Sequence, residues 1–224
     1  MTGLPLFVDA DDTLWENNVF FERAFDRFAG YLAHSTLSAA GVRAELDEIE
    51  HVNNRLHGYG SKNFARNLKQ CFQKLCERPA RDADFAFIDA IERDLLHHPM
   101  ELIEGVEETL AYLNERHHLT LCTKGAPEEQ RAKLERSGLT GFFHHVEIVK
   151  EKDVALYQRL GAGKPQAWMV GNSPKSDINP ALAAGLSAVY IPHAHTWHLE
   201  HEDVPHGHEK LVVLDRFERL REVF

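Results

Sequence analysis

Three acidic residues follow directly on a short apolar segment near the N-terminus. Residues 4–8 predict a buried strand, and Asp9, Asp11 and Asp12 come where that strand ends in a loop. Carboxylates so close together repel one another unless a divalent cation or a reaction uses them. A solvated turn is the alternative interpretation, because Asp is a common turn residue. This segment is therefore the first candidate for a catalytic or metal site, and Asp12 fits a turn-capping role equally well.

Polar residues also follow three later apolar segments. These segments, at 119–123, 145–149 and 167–171, each predict a strand. A hydroxyl beside glycine, lysines, an amide and a further acid are all chemically useful side chains. The residues that end or follow the three strands are Thr123, Lys124 and Gly125, then Lys150 and Lys152, and then Gly171, Asn172, Ser173 and Asp177.

The pattern of the chain changes twice, from a strand to a long helical block and then to alternating strands and helices. No convincing strand pattern lies between residues 16 and 98. The helices predicted there cover 17–34, 41–57, 62–77 and 83–97.

After Pro99, helices alternate with strands, including a fifth strand at 187–191. We therefore predict a core of residues 1–15 and 99–224, with 16–98 inserted as a helical domain. The helices predicted in the core cover 106–117, 127–137, 153–160 and 175–184.

Alternation of this kind predicts a parallel sheet covered by helices on both faces, an α/β, Rossmann-like, doubly wound fold with an all-helical insertion. In such a sheet, ligands bind beyond the carboxyl ends of the strands, so the polar residues at the strand ends should converge. Carboxylates, a hydroxyl and a lysine at one edge would bind a divalent cation and a phosphate together.

Composition limits the partners. The formal charge of −10 disfavours nucleic acid and anionic membranes, since phosphates would be repelled. No apolar segment is long enough to span a bilayer and no leader pattern occurs, which predicts a cytoplasmic protein, monomeric or homodimeric. The three cysteines lack metal-type spacing and are expected to be reduced thiols.

The chain resembles the haloacid dehalogenase superfamily, specifically a phosphatase with a helical cap inserted after the first strand. The segment Asp9-Ala10-Asp11-Asp12-Thr13-Leu14 is similar to the family's first motif, D-x-D-x-T-L. The resemblance covers essentially the whole chain. It implies that Asp9 is the nucleophile, that Asp11 is the general acid and base, and that residues 16–98 form the cap.

The resemblance extends to the other motifs of the family. Thr123 matches the second motif. Lys152 matches the third best, because it precedes a helix and lies well upstream of the strand that ends at Gly171. Lys164 lies too close to that strand, and Lys150 is a lesser candidate.

The fourth motif, Gly171-Asn172-Ser173-Pro174-Lys175-Ser176-Asp177, departs from the usual G-D pattern by placing Asn172 where an acid commonly binds metal. A neutral ligand weakens a metal site, although an amide still offers an oxygen. Asp177 keeps one acid in this motif.

The resemblance implies a magnesium-dependent mechanism on a small-molecule phosphomonoester. Asp9 would attack phosphorus to form an aspartyl phosphate that water then hydrolyses. Mg²⁺ would be bound by Asp9, the Asp11 carbonyl, Asn172 and Asp177. The phosphate oxygens would be bound by Thr123 and Lys152 and by the amides near Lys124 and Gly125.

Two other functions are compatible with the sequence. A phosphosugar mutase would use the same scaffold, whereas halide removal is disfavoured because dehalogenases of the superfamily lack the second acid, here Asp11. A histidine-rich metal-binding protein with impaired catalysis is the other alternative. Its candidate segment runs from His193 to His208, for which we expect a mobile surface loop and adventitious metal binding.

Overall fold

The computed structural model describes residues 3–224. The chain divides into two compact units. The first contains the residues up to Asn18 together with Met100–Phe224, and the second contains Val19–Pro99. The division falls within a few residues of the predicted boundaries, and the role of the second unit as a cap stays a prediction.

A six-stranded parallel sheet forms the centre of the first unit, with strand order β3-β2-β1-β4-β5-β6. The order reverses at β1, with β2 and β3 on one side and β4, β5 and β6 on the other. A ligand crevice is therefore expected at the carboxyl end of β1. The strands are β1 (Pro5–Val8), β2 (His118–Lys124), β3 (His145–Val149), β4 (Trp168–Gly171), β5 (Ser187–Tyr190) and β6 (Leu211–Val213).

Eight α-helices lie among the described residues, α1 to α4 mainly in the second unit and α5 to α8 in the first. A π-helical turn, Pro174–Ile178, precedes the last of them, and short 3₁₀ turns lie at Leu139–Phe142, His198–Glu200 and Phe217–Glu222. The helices are α1 (Asn18–Leu32), α2 (Ala39–His57), α3 (Ser61–Leu75), α4 (Asp82–Leu96), α5 (Val106–Asn114), α6 (Pro127–Ser137), α7 (Val154–Gly161) and α8 (Asn179–Ala183).

Strand β1 is buried on both faces, as a central parallel strand should be. Leu6 and Val8 belong to a hydrophobic cluster that includes Leu110 of α5, whereas Phe7 belongs to a separate cluster that includes Tyr157 of α7. Successive side chains of a strand point to opposite faces, so the two clusters are the two layers of helix on sheet. The α/β Rossmann-like fold is confirmed.

The structure corrects the sequence analysis in two places. Strand β6 was not predicted, because three residues are too few to show a period. The helix predicted at 175–184 is a π-helical turn followed by the five-residue α8.

Within residues 3–224, no helix has both the length and the apolar character to cross a membrane.

The second unit has a hydrophobic core of its own. Phe20, Phe25 and Phe28 of α1 are buried in this core with Phe64 and Phe72 of α3. The four helices α1 to α4 therefore have enough apolar surface in common to form a compact unit.

Glu50 is an ionisable group buried within this helical unit. The residue is 4% exposed, and no hydrogen-bond partner is found for its Oε2 among the described residues. Burial raises the pKa of Glu50 to about 8. The folded-state pKa of Glu50 lies above its unfolded value. The contribution of Glu50 to the free energy of unfolding is therefore fully present below about pH 4.5 and is lost as the pH rises through about 8.

Glu50→Met is therefore expected to remove part of this pH dependence. At about pH 9 the variant should be more stable than the wild type by on the order of 1–3 kcal/mol, and near pH 5 the difference should be small. Thermal unfolding midpoints at both pH values measure this. Glu48→Met, an exposed glutamate on the same helix, is the matched control and should show no such difference. Equal curves for wild type and Glu50→Met at high pH would contradict the prediction.

Candidate active site

Asp9 follows the last residue of β1 at the carboxyl edge of the sheet. Its amide donates to the Val170 carbonyl at 2.9 Å, so the ladder between β1 and β4 continues into this residue and fixes its position. The residue is 6% exposed. A carboxylate this buried needs hydrogen-bond donors or a cation beside it.

Lys152 supplies one such donor and lies between two buried carboxylates. Its Nζ donates to Asp9 Oδ1 and, at 2.7 Å, to Asp177 Oδ1. Burial alone would lower the pKa of Lys152, but the charges of Asp177 and Asp9 raise it above its usual range. The loop after β3 thus places a fixed positive charge beside Asp9, whereas Lys150 and Lys164, the other lysines considered, are exposed.

Asp177 is held on both of its oxygens. Lys152 donates to Oδ1, and the Ser173 amide donates to Oδ2 at 3.0 Å. A Cβ at Gly171 would lie 2.3 Å from Asp177 Oδ2, so glycine is required for this close approach. Burial and then the Asp9 charge raise the pKa of Asp177. Because both oxygens already have donors, the structure shows Asp177 holding Lys152, and its role as a metal ligand stays a prediction.

A separate group of oxygens converges on the opposite side of the Asp9 carboxylate. Thr13 Oγ1 donates to Asp9 Oδ2 at 3.0 Å. The inner atom of the Asn172 side-chain amide lies 3.1 Å from Thr13 Oγ1, 3.3 Å from Asp9 Oδ2 and 3.2 Å from the Asp11 carbonyl oxygen. Its outer atom lies 2.8 Å from Thr196 Oγ1.

This group fits a small divalent cation. Octahedral Mg²⁺ at roughly 2.1 Å from its ligands separates neighbouring oxygens by about 3 Å, close to the spacing of these atoms. With its oxygen inward, Asn172 adds a third ligand to Asp9 Oδ2 and the Asp11 carbonyl. With its nitrogen inward, the same amide donates hydrogen bonds to those oxygens. Three of the four predicted metal ligands are thus brought together.

The sequence predicts phosphate contacts for both Thr123 and Gly125, and the structure bears on these two predictions differently. Thr123 is buried, and its Oγ1 accepts from Gln130 Nε2 at 3.0 Å, which leaves its hydroxyl proton for another acceptor. The Gly125 amide donates to the Val149 carbonyl at 3.1 Å. The prediction that this amide binds phosphate is therefore not supported, because the β2–β3 ladder uses the amide.

Lys124 also departs from its predicted role. Its Nζ donates to Glu200 Oε1 at 2.7 Å and to Ser176 Oγ at 3.0 Å. The Lys124 side chain is thus paired with a buried carboxylate, whereas the predicted phosphate contact concerned the amides near Lys124 and Gly125. The sequence contains no local signal for this pair, since its members are 76 residues apart.

The Asp11 side chain contacts three residues that the sequence analysis did not single out as site residues. Trp15 Nε1 donates to Oδ1 at 2.7 Å, Gln130 Nε2 donates to Oδ2 at 2.9 Å, and Lys133 Nζ lies 2.6 and 2.7 Å from the two oxygens. Burial would raise the pKa of Asp11, but Lys133 and these hydrogen bonds together lower it. The carboxylate form is therefore favoured at neutral pH.

Asp12 caps the start of α1. Its φ of 59° is left-handed, which Asp tolerates better than most residues, and its Oδ1 accepts from the amides of Asn17 and Asn18 at 2.9 and 3.0 Å. The turn-capping interpretation is confirmed. Burial raises the pKa of Asp12 to about 7.

The segment of histidines is more closely joined to the site than predicted. His193 Nε2 lies 3.2 Å from Glu16 Oε1, and its Nδ1 lies 3.9 Å from Asp12 Oδ1. In residues 3–224, these three residues are the group of His and acid side chains close enough to share a metal ion. Further along, Thr196 and Glu200 are buried against the loop after β4. The expectation of a surface loop is therefore met by His195 and His198, which are exposed, and is wrong for Thr196 and Glu200, which are buried.

These contacts define a class of site. An acid at the end of the central strand, a buried lysine beside it, a hydroxyl on the neighbouring strand and a set of convergent oxygens can bind an anionic group next to a nucleophilic carboxylate. This is an arrangement for a hydrolase of the α/β type.

Comparison with known proteins gives the family. The description "haloacid dehalogenase-like hydrolase" matches residues 6–185, and the chain belongs to this family of hydrolases. A phosphoserine phosphatase of Thermus thermophilus is 28% identical over 219 residues, covering 92% of this chain and 80% of that protein.

Two solved structures are similar over the whole chain. A haloacid dehalogenase-like family hydrolase from Xanthomonas campestris has a TM-score of 0.83 and 28% identity, covering 100% of this chain and 95% of that one. The hydrolase YfnB from Bacillus subtilis, solved bound to magnesium, has a TM-score of 0.68 and 18% identity, covering 100% and 99%. The second likeness shows the fold.

Proposed function

We propose that this chain is a Mg²⁺-dependent phosphatase that hydrolyses a small-molecule phosphomonoester through an aspartyl phosphate on Asp9. The observation that supports this most is the buried Asp9 carboxylate, with the Lys152 ammonium on one oxygen and Thr13 and Asn172 on the other. The similarity to a phosphoserine phosphatase supports the same reaction class. The net charge of −10 favours a small substrate over a nucleic acid polymer.

In the first half of the reaction, an Asp9 oxygen forms a bond to phosphorus while the bond to the leaving oxygen breaks. Lys152 offsets negative charge that develops on the phosphoryl oxygens, and the Thr123 hydroxyl donates to one of them. When bound by Asp9, the Asp11 carbonyl and Asn172, Mg²⁺ supplies positive charge that reduces the repulsion between the carboxylate and the phosphate.

The Asp11 carboxylate takes a proton from the water that hydrolyses the aspartyl phosphate, and the acid form so produced gives this proton to the leaving oxygen of the next substrate. In the structure, Trp15, Gln130 and Lys133 together make four short contacts to its carboxylate. A carboxylate has about four lone-pair positions, so one donor must yield before Asp11 contacts substrate or water. The low pKa of Asp11 suits its part in the second half-reaction, when it acts as a base.

The experiment that tests this function is phosphate release from a panel of phosphomonoesters, with Mg²⁺ and with chelator. The panel includes O-phosphoserine, phosphoglycolate, sugar phosphates and nucleoside monophosphates. We expect saturable release from at least one ester, reduced by at least about 100-fold in chelator. Equal release with and without Mg²⁺ would contradict the metal dependence. No release, or isomerisation of a sugar phosphate with its phosphate retained, would contradict the phosphatase.

A further inference from the structure

Glu200 is a buried carboxylate that accepts hydrogen bonds from three residues of the sheet edge. It belongs to the 3₁₀ turn His198–Glu200 and is 7% exposed. Oε1 accepts from Lys124 at 2.7 Å, and Oε2 accepts from Ser173 Oγ at 2.7 Å and from Ser176 Oγ. These donors outweigh the cost of burial and lower the pKa of Glu200, so a full negative charge is held here.

Two of the three partners of Glu200 are directly adjacent in the chain to a residue of the proposed site. Lys124 follows Thr123, whose hydroxyl faces the phosphate side, and Ser173 follows Asn172, which contributes to the cation side. A displacement of either partner therefore moves the neighbouring site residue along the same backbone.

The contacts of Glu200 also link elements that are not neighbours in the sheet. Lys124 ends β2, and Ser173 and Ser176 follow β4, while β1 lies between these two strands. Glu200 thus joins the end of β2 to the loop after β4, across the strand end where Asp9 lies. The sheet ladder pairs Thr123 and Lys124 with β3, whereas Asn172 and Ser173 lie beyond the end of β4 and are not fixed by the ladder.

We propose that Glu200 is a positioning residue that holds the end of β2, where Thr123 lies, and the loop of Asn172 at the separation needed to bind phosphate. This proposal rests on the proposed function, since it assigns the phosphate to the site defined there. Lys124 acts with Glu200 as a pair. Its effect on phosphate binding is indirect, because the pair fixes the position of Thr123.

The test is the affinity for inorganic phosphate, measured by calorimetry in Mg²⁺ and by product inhibition of the best ester. Glu200→Gln keeps the size of the side chain and removes the charge that pairs with Lys124. We expect phosphate affinity to fall about tenfold and KM to rise in proportion, with kcat changed less than about threefold. Glu202→Gln, an exposed neighbour in the same segment, is the matched control and should leave all three quantities as in the wild type.

Lys124→Met separates the proposal from direct phosphate binding by Lys124. If the two residues act as one pair, Lys124→Met weakens phosphate binding about as much as Glu200→Gln, and the double variant is no worse than either single variant. If Lys124 itself binds phosphate, Glu200→Gln frees the ammonium group and tightens phosphate binding. Tighter binding in Glu200→Gln would therefore overturn the proposal.

A purely structural role for Glu200 is also distinguishable. It would lower the thermal unfolding midpoint of Glu200→Gln while phosphate affinity, measured well below that midpoint, stayed as in the wild type, and this result would overturn the proposal. Absence of turnover by the wild type would contradict the proposed function and not the role of Glu200. In that case, the phosphate affinities of the wild type and of Glu200→Gln, measured by calorimetry, still decide the role of Glu200.

Discussion

Asp9→Asn is expected to abolish phosphate release while leaving the protein at least as stable as the wild type. An amide oxygen is a poor nucleophile, so the aspartyl phosphate cannot form at a useful rate. The loss should be at least about 10³-fold in kcat, as expected when the group that forms the covalent bond is removed.

The expected stability of this variant follows from how Asp9 and Asp177 share Lys152. Both carboxylates are buried and accept from the one ammonium group, so the protein carries one buried negative charge more than it has lysine to balance. Asparagine at position 9 removes that excess, and with its oxygen toward Lys152 its amide nitrogen can donate to Thr13 Oγ1. The remaining pair, Lys152 and Asp177, is then one to one.

Phosphate release and the thermal unfolding midpoint, measured together, check this prediction. Asp12→Asn is the matched control, because Asp12 is a buried acid three residues away whose capping bonds to Asn17 and Asn18 an asparagine can also accept. We expect Asp12→Asn to retain most of the activity. Turnover of Asp9→Asn close to that of the wild type would contradict the assignment of the nucleophile.

Much of the fold was predictable because the strands of a doubly wound sheet are buried on both faces and read as short apolar runs. Five of the six strands, and the polar residues that end them, follow from this pattern. The choice of Lys152 over Lys164 used its position before a helix and its chain distance to β4. The structure gives the physical reason, since Lys152 is buried between two acids and Lys164 is exposed.

The residues around the Asp11 carboxylate were not predictable in the same way. Gln130 and Lys133 lie on α6, and their separation from Asp11 in the chain is 119 and 122 residues. On a helix, a buried lysine and an exposed one have the same local pattern, because only the packing of the helix on the sheet decides which is which. One signal in the sequence is that Gln130 and Lys133 are three residues apart, because this spacing places both side chains on one face of α6.

The region after β5 was misjudged for a related reason. Its many histidines are conspicuous in the sequence, whereas Thr196 and Glu200, two of the residues that join it to the site, have no distinctive spacing. Irregular segments lack a hydrophobic period, so their burial depends on contacts that form only in the folded protein. The same argument explains why the three-residue strand β6 was missed.

Lys152→Met is expected to lose turnover and also a large part of the stability of the fold. Lys152 is the ammonium group shared by Asp9 and Asp177, and its side chain is 2% exposed. Removing one partner from a buried ionic group costs on the order of 3–5 kcal/mol, because the remaining charges have lost their partner.

The pH dependence of this loss identifies its cause. Burial and the Asp9 charge raise the pKa of Asp177, and Lys152 opposes them. Without the ammonium group, the pKa of Asp177 in the folded state rises further above its unfolded value of about 4, so protonation favours the folded state. Stability of the variant is then retained near that pH and lost as the pH rises. The deficit relative to the wild type should be larger at about pH 8 than at about pH 5.5, measured as thermal unfolding midpoints in chelator.

Lys150→Met is the matched control, since Lys150 lies two residues upstream in the same loop and is exposed. It should keep both stability and activity, as surface substitutions generally do. A deficit of Lys152→Met that is equal at both pH values would assign the loss to packing of the aliphatic stem instead of to charge. Equal losses in Lys152→Met and Lys150→Met would contradict the role of Lys152 as the buried partner of the two acids, because the exposed Lys150 has no buried acid to balance.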